Sequence, residues 1–186
     1  MTPPPAFVDG ARASLRRVSL QDGAALFLAA DDAEVMRYMD WPRPRGADEV
    51  AAYLEGAVAR WDEGLEFVWA MVDRSTQAVV GTVSCRPQAH AADFGFLLAR
   101  AHWGRGLAAE AAVWVTTWLA QQPGIFRVWA TADAENRRSR QLLERLGLTF
   151  EGILRQATVR PNIGAAPRDT ALYARTRGAG WTVHDG

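Results

Sequence analysis

A strand, a glycine-containing loop and a helix follow one another without a break between residues 93 and 110. Apolar residues over Asp93–Ala99 predict the strand, and Gly104 and Gly106 lead directly into a helix predicted over Leu107–Ala120. Glycine lets backbone N–H groups converge with no Cβ in the way, and the first turn of a helix offers unpaired amides and about half a positive charge. The segment therefore predicts a cradle for a phosphate or pyrophosphate where the strand ends.

The same loop excludes two common nucleotide-binding motifs. The chain contains no lysine, so a P-loop with its Gly-Lys-Ser/Thr ending is impossible. The dinucleotide pattern G-x-G-x-x-G is also missing, because Ala109 stands where its third glycine would be. The absence of lysine rules out Schiff-base catalysis as well.

Composition predicts one folded domain and argues against nucleic-acid binding, an internal disulfide and a metal site. The chain has 186 residues, of which 49% are hydrophobic, and its 21 basic residues, all arginine, balance 21 acidic ones. A net charge of zero argues against nucleic-acid binding through overall charge. The single cysteine, Cys85, excludes an internal disulfide, and the three histidines are too scattered to predict a metal site. No targeting or membrane segment is recognisable, so a cytoplasmic location without membrane contact is the default expectation.

Strand-like and helix-like stretches share one domain expected over residues 11–177, between flexible ends expected at residues 1–10 and 178–186. Helices are predicted over residues 22–30, 31–39, 48–62, 107–120 and 135–146. Strands are predicted over residues 14–18, 67–72, 78–85, 93–99, 125–131, 149–154 and 170–176. This order predicts an α+β domain in which helices flank a single mixed sheet of about seven strands.

Four stretches in a fixed order resemble a known family. They are WGRGLA at Trp103–Ala108, Asn136-x-x-Ser139 followed by LLERLGL, FEGILR at Phe150–Arg155, and Asp169-x-x-x-Tyr173. Together they resemble the GNAT N-acetyltransferase superfamily, and in particular its branch of ribosomal-protein N-terminal alanine acetyltransferases (RimJ/RimL-like). The resemblance implies a GNAT fold with a mostly antiparallel sheet whose strands splay at an acetyl-CoA cleft. It also implies acetyl-CoA as co-substrate, an amine acceptor, no metal and a possible homodimer.

The resemblance also assigns roles to individual residues. The amides of five consecutive residues would hold the CoA pyrophosphate: Gly104, Arg105, Gly106, Leu107 and Ala108. The end of the preceding strand would bind the pantetheine arm and polarise the acetyl carbonyl: Phe96, Leu97 and Leu98. Asn136 would bind pantetheine, and Ser139 would protonate the departing thiolate. Many family members carry a catalytic tyrosine where this chain has Leu143, so Ser139 is the remaining candidate for the acid.

The general base stays open at this point. Asp93 acting through water is one candidate, Glu66 is a weaker one, and water itself is the third. An α-amino group needs only about 1 kcal/mol to lose its proton at pH 7, whereas a lysine amine needs about 4 to 5. A water-assisted carboxylate therefore favours N-terminal α-amines or small amines as acceptors.

Charge is unevenly distributed along the chain. Residues 31–66 carry a net charge of −6 and residues 127–177 a net charge of +5. The family resemblance implies that the early helices, within residues 31–66, form the wall of the acceptor side, and an acidic wall would attract a cationic amine. Arg137, Arg138 and Arg140, in the basic part of the chain, could meet the 3′-phosphate of CoA. Three alternatives remain: a catalytically silent acyl-CoA sensor or scaffold, a binding protein for another phosphate ligand, and an enzyme of the same fold that acts on an antibiotic or a polyamine.

Overall fold

A single open sheet of eight strands forms the centre of the computed structural model, which describes residues 3–178. The strands are β1 (Phe7–Asp9), β2 (Ala13–Arg17), β3 (Phe67–Asp73), β4 (Val79–Gln88), β5 (Ala91–Leu98), β6 (Arg127–Asp133), β7 (Thr149–Val159) and β8 (Pro167–Thr176). Their order across the sheet is β1-β2-β3-β4-β5-β6-β8-β7, and every neighbouring pair is antiparallel except β5 and β6. The predicted α+β fold with a mixed, mostly antiparallel sheet is confirmed.

Helices cover both faces of the sheet. They are α1 (Gly23–Ala30), α2 (Ala33–Met36), α3 (Ala47–Asp62), α4 (Leu107–Gln121) and α5 (Arg137–Arg145). Because side chains alternate along a strand, Val68 and Ala70 of β3 pack with α1 and α3, whereas Trp69 and Met71 pack with α4. Within residues 3–178 no helix combines the length and the apolar character needed to span a membrane.

The two parallel strands separate soon after they meet. β5 and β6 pair only from Ala91 to Asp93, opposite Arg127 to Trp129. Beyond that point β5 continues along β4 and β6 continues along β8, so a gap widens between Phe94–Leu98 and the end of β6. The predicted splay at Phe96–Leu98 is therefore present, and the glycine loop lies at its wide end.

Several elements differ from their predicted extents. The segment expected to be flexible, residues 1–10, contains the edge strand β1, which raises the strand count from seven to eight. The second helix ends at Met36 rather than Met39. β7 and β8 run further along each other than predicted, because the register shifts between Leu154 and Thr158 let the ladder resume beyond Gln156, whose φ is 48°. The tail expected over residues 178–186 lies outside the described residues apart from Gly178.

Candidate active site

The glycine loop presents unpaired backbone amides to the wide end of the gap. Gly104 and Gly106 have φ angles of 75° and 83°, in the left-handed region that glycine adopts without strain. Gly106 is the N-cap of α4, and no side chain caps the helix. The first amides of a helix have no intrahelical acceptor, and a Cβ built at Gly104 would meet nothing within 4 Å. The loop therefore has the open, donor-rich form that an anion such as pyrophosphate requires.

A buried carboxylate holds this loop against the β3–β4 turn. Asp73 accepts hydrogen bonds from the Ser75 amide at 2.9 Å and the Ser75 hydroxyl at 2.7 Å. It also contacts His102 Nδ1 at 3.0 Å and Arg105 Nη1 at 2.7 Å. The bonds from Ser75, with Arg105 and His102, lower the pKa of Asp73 to about 2. The Arg105 side chain is thus turned toward Asp73, and its backbone amide is the part that remains for a ligand.

Trp103 connects the loop to both sides of the gap. Its indole N–H donates to the carbonyl oxygen of Leu98 at 2.7 Å, which joins the loop to the end of β5. The guanidinium of Arg138, in the first turn of α5, lies 4.6 Å from the Trp103 ring centroid. The structure therefore brings together the three segments predicted to bind acetyl-CoA: the end of β5, the loop and the start of α5.

Asn136 and Ser139 form the N-terminal turn of α5. Asn136 is the N-cap, and its Oδ1 accepts the backbone N–H of Ser139 at 3.2 Å. The Asn136 Nδ2 group and the Ser139 hydroxyl make no hydrogen bond to any other part of residues 3–178. The Asn136 oxygen is therefore used to begin the helix, while its NH₂ group and the neighbouring hydroxyl are left for a ligand.

Both carboxylates proposed as a base are paired with arginine. Arg86 Nε donates to the two oxygens of Asp93 at 3.0 and 3.3 Å, at the point where β5 and β6 stop pairing. Glu66, just before β3, accepts from Arg60 Nε at 2.7 Å. Both carboxylates are buried. Each candidate base is therefore engaged in an ion pair with an arginine, and its oxygens retain further acceptor capacity.

The remaining sequence candidates divide between packed and exposed positions. Tyr173 is fully buried, and its hydroxyl donates to Glu144 Oε1 at 2.8 Å and accepts from Arg140 Nε at 3.0 Å. Arg140 is therefore engaged inside the fold, whereas Arg137 and Arg138 are exposed on α5. Of the three arginines expected near the 3′-phosphate, only Arg137 and Arg138 are free of internal hydrogen bonds within the described chain.

Sequence reasoning missed the residues that support the site. Asp73 belongs to a polar turn that predicts only a hairpin, and it is separated from Arg105 by 32 positions in the chain. Arg86 follows the strand predicted over residues 78–85 and in the structure lies within β4, directly opposite Asp93. The sequence could place these two residues together only if the pairing of β4 with β5 were known first. For Asp73 and Arg86 the information lies in the sheet register, which a local pattern does not contain.

Comparisons with known proteins agree with this geometry. The family model described as an acetyltransferase (GNAT) domain matches residues 12–149. Among curated proteins, the uncharacterized N-acetyltransferase YoaA of Bacillus subtilis (strain 168) is 26% identical over 166 residues, which cover 88% of this chain and 92% of YoaA.

Two solved structures of similar fold contain relevant ligands. One is RimL, a ribosomal L7/L12 α-N-protein acetyltransferase in complex with coenzyme A, at a TM-score of 0.81 and 20% identity, covering 91% of this chain and 97% of RimL. The other is the microcin C7 self-immunity acetyltransferase MccE in complex with acetyl-CoA and AMP, at a TM-score of 0.83 and 18% identity, covering 94% of this chain and 98% of MccE. At these identities the two structures establish the fold alone.

The fold, the splayed strands and the amide-lined loop define an acetyltransferase of the GNAT type. With a family model that spans most of its length, the chain belongs to the GNAT acetyltransferase family. The predicted resemblance to the GNAT superfamily is confirmed by this family model, and the fold is similar to that of RimL.

Proposed function

We propose that the protein transfers an acetyl group from acetyl-CoA to a primary amine by direct attack within a ternary complex. The acceptor would be a protein N-terminal α-amine or a small-molecule amine. The observation that carries this proposal is the turn at Gly104–Ala108, whose unpaired amides begin α4 at the wide end of the gap between β5 and β6. Among the structural neighbours, RimL holds coenzyme A and MccE holds acetyl-CoA, which supports the choice of co-substrate.

The chain offers a group for each requirement of binding and orientation. The amides of Gly104–Ala108 would bind the pyrophosphate, as the first turn of a helix does for anions. The backbone of Phe96–Leu98 faces the gap without a β6 partner and would bind pantetheine, with one amide directed at the acetyl carbonyl oxygen. The free NH₂ group of Asn136 would donate to the same arm.

The transfer itself needs little from side chains. The amine nitrogen would form the new C–N bond with the thioester carbon, and the C–S bond would break. The Ser139 hydroxyl would pass its proton to the departing thiolate and take one from the water that accepts the amine proton, so that the serine ends neutral. Because Asp93 and Glu66 are both bound by arginine, we assign removal of the amine proton to water. This assignment suits an acceptor amine of low pKa, for which deprotonation at pH 7 requires only about 1 kcal/mol.

A thiol-release assay with acetyl-CoA tests the proposal. The acceptor panel contains N-terminal peptides, polyamines and aminoglycosides, and turnover with at least one class is expected. Ser139→Ala should lower kcat by about 100-fold, the lower end of the effect of a general acid, while calorimetry finds the same affinity for CoA. Binding of CoA without turnover of any amine would identify a sensor instead. Tighter binding of ATP or NAD than of CoA would show that the loop at Gly104–Ala108 serves another phosphate ligand and would reject its role in binding CoA.

A further inference from the structure

The turn between β7 and β8 is hydrogen-bonded to the end of α2 and to the segment that follows it. Asn162 in this turn donates from Nδ2 to the carbonyl oxygens of Met36 at 2.8 Å and Trp41 at 2.9 Å. Its Oδ1 accepts the backbone N–H of Arg43 at 2.8 Å. Met36 in turn packs in one cluster with Leu97 of β5. The turn is therefore fixed to the segment that lies against the strand proposed to hold the acetyl group.

Arg160, the first residue of this turn, has a buried side chain whose Nε lacks a hydrogen bond. Its side chain is only 6% exposed. Its Nε is fully buried and has no partner within residues 3–178. Oδ2 of Asp133, at the end of β6, is 3.9 Å from this nitrogen, which is too far for a hydrogen bond. A buried N–H group of a cation that lacks an acceptor costs free energy, so the position of Nε suggests a ligand atom that would accept from it.

Asp133 cannot fully supply that partner, because it is already engaged. Arg168 Nε donates to Asp133 Oδ2 at 2.7 Å and Arg168 Nη2 to Oδ1 at 3.2 Å. The backbone N–H of Glu135 donates to the same carboxylate at 3.0 Å. Burial lowers the pKa of Arg160, and the pull of Asp40 and Asp133 in the other direction does not offset it. Arg168 also pairs with the exposed carboxylate of Glu135 at 2.8 Å. The Asp133 carboxylate is thus shared, and among the described residues Arg160 Nε keeps no hydrogen-bond acceptor of its own.

We propose that Arg160 binds an anionic group, a carboxylate or a phosphate, that the acceptor amine carries. This inference rests on the proposed acetyltransferase function and narrows its substrate class to zwitterionic amines. The distribution of charge supports this proposal. Met36 and Trp41, which contact the turn, belong to residues 31–66, whose net charge is −6, whereas Arg160 is a cation within the turn itself. An acceptor with an ammonium and an anion at its two ends would meet complementary charge at both.

Matched acceptor pairs test the proposal. In the carboxylate arm, the kcat/KM of each of several amino acids is compared with that of its amide. In the phosphate arm, the kcat/KM of aminoethyl phosphate is compared with that of ethanolamine. Arg160→Met should reduce kcat/KM for the anionic member of one arm by about 10- to 100-fold, the effect of removing hydrogen bonds from a charged group. The kcat/KM of Arg160→Met for the neutral member of the same pair should stay within about twofold of the wild-type value. The ratio of wild type to variant cancels the differences in amine pKa between the members of a pair.

Controls separate recognition from folding. Arg155→Met removes an arginine that is 80% exposed on the same hairpin and should leave both members of each pair unchanged. Arg160→Met should leave the melting temperature nearly unchanged, because the loss of the long ion pair with Asp133 at 3.9 Å is offset by removal of a buried charge, and Asp133 keeps Arg168 as its partner. An equal loss for anionic and neutral acceptors, or no preference for anions in the wild type, would overturn the proposal.

A binding measurement distinguishes this inference from the proposed function. In the absence of acetyl-CoA, the anionic acceptors should raise the melting temperature of the wild type but not of Arg160→Met. If no amine is acetylated but this shift is observed, the transfer reaction is rejected and the anion site stands. If amines are acetylated but the shift and the preference are both missing, the reaction stands and the anion site is rejected.

Discussion

At the scale of single residues, Asn136 combines two functions in one side chain. Its oxygen caps α5 through the Ser139 amide, and its NH₂ group remains for the pantetheine arm. Asn136→Ser keeps a cap oxygen and removes the NH₂ group, so the free energy of unfolding should change by only a few tenths of a kcal/mol. The Kd for CoA should rise by about 2- to 10-fold, as for the loss of one neutral hydrogen bond. Urea unfolding and calorimetry measure the two effects separately.

Asn136→Ala provides the matched comparison. It removes both the cap and the donor, so it should lower the free energy of unfolding by about 1 kcal/mol and weaken CoA binding as much as the serine variant does. If the serine variant binds CoA with the affinity of the wild type, Asn136 acts only as a helix cap.

Asp73 is the residue whose charge state should govern the order of the glycine loop. Its pKa in the folded chain, about 2, lies below its ordinary value of 3.8. The depressed value means that the ionised carboxylate contributes stability above about pH 4, and that this contribution is lost as the pH falls through the folded pKa. Asp73→Asn should therefore lower the melting temperature at pH 7, and the difference from the wild type should shrink as the pH falls from 4 toward 2.

The same variant should affect binding as well as stability. Without the charge of Asp73, Arg105 loses its ionic partner on the β3–β4 turn and keeps there only its bond to the Ser75 hydroxyl at 3.0 Å. The KM for acetyl-CoA should rise severalfold because the amides are less well positioned, while kcat changes less. Steady-state kinetics at two pH values checks this, with Asp62→Asn as the control: Asp62 pairs with Arg17 at 2.7 Å, and Arg17 lies opposite Trp69 rather than beside the β3–β4 turn. An unchanged KM would mean that the backbone alone holds the loop.

At the scale of elements, the start of α4 depends on two glycines with different surroundings. A Cβ at Gly106 would contact Arg12 Cδ at 3.4 Å, whereas a Cβ at Gly104 would enter open space. Both positions have positive φ, so either Gly→Ala change should destabilise the fold by about 1–2 kcal/mol. Both should also raise the KM for acetyl-CoA, since the new Cβ lies beside the amides. Gly124→Ala is the control, since its φ is not positive and its Cβ would meet nothing.

The outcome of this series decides what the loop does. If Gly104→Ala and Gly106→Ala lose stability but keep the KM of the wild type, the glycines serve only the strand-to-helix turn. If Gly124→Ala loses as much stability as they do, conformational strain is not the cause. A raised KM confined to the two loop variants is the expected result.

The elements also explain how far the sequence could predict the site. Local periodicity and the position of Gly104 are sufficient to predict that β5, the loop and α4 follow one another, because the strand, turn and helix signals are adjacent there. The same reasoning could not find Arg160, since its importance arises from its proximity to Asp133 and Asp40, which lie far away in the chain. Asp93 was correctly placed on a strand, but its pairing with Arg86 follows from the β4–β5 register.

At the scale of the whole molecule, the N-terminal segment extends the sheet and completes hydrogen bonds in the core. Trp69 is fully buried on β3, and its indole N–H donates to the carbonyl oxygen of Pro5 at 3.1 Å. The backbone N–H of Arg17 donates to the carbonyl oxygen of Ala6 at 2.7 Å. A proline-rich start predicted flexibility because its composition disfavours regular structure, but an edge strand needs only an open neighbour, and β2 provides one.

Removing residues 2–9 should therefore destabilise the whole domain rather than trim a loose end. The deletion leaves the Trp69 indole N–H buried without an acceptor, which costs about 1–3 kcal/mol in addition to the loss of β1. A double-mutant cycle isolates this cost: in a Trp69→Phe background the same deletion should lower the free energy of unfolding by at least about 1 kcal/mol less. Urea midpoints measured at a constant m-value provide the four free energies. If the deletion leaves the midpoint of the wild-type background unchanged, the N-terminal segment does not stabilise the fold, and the flexible end predicted from the sequence is the better description.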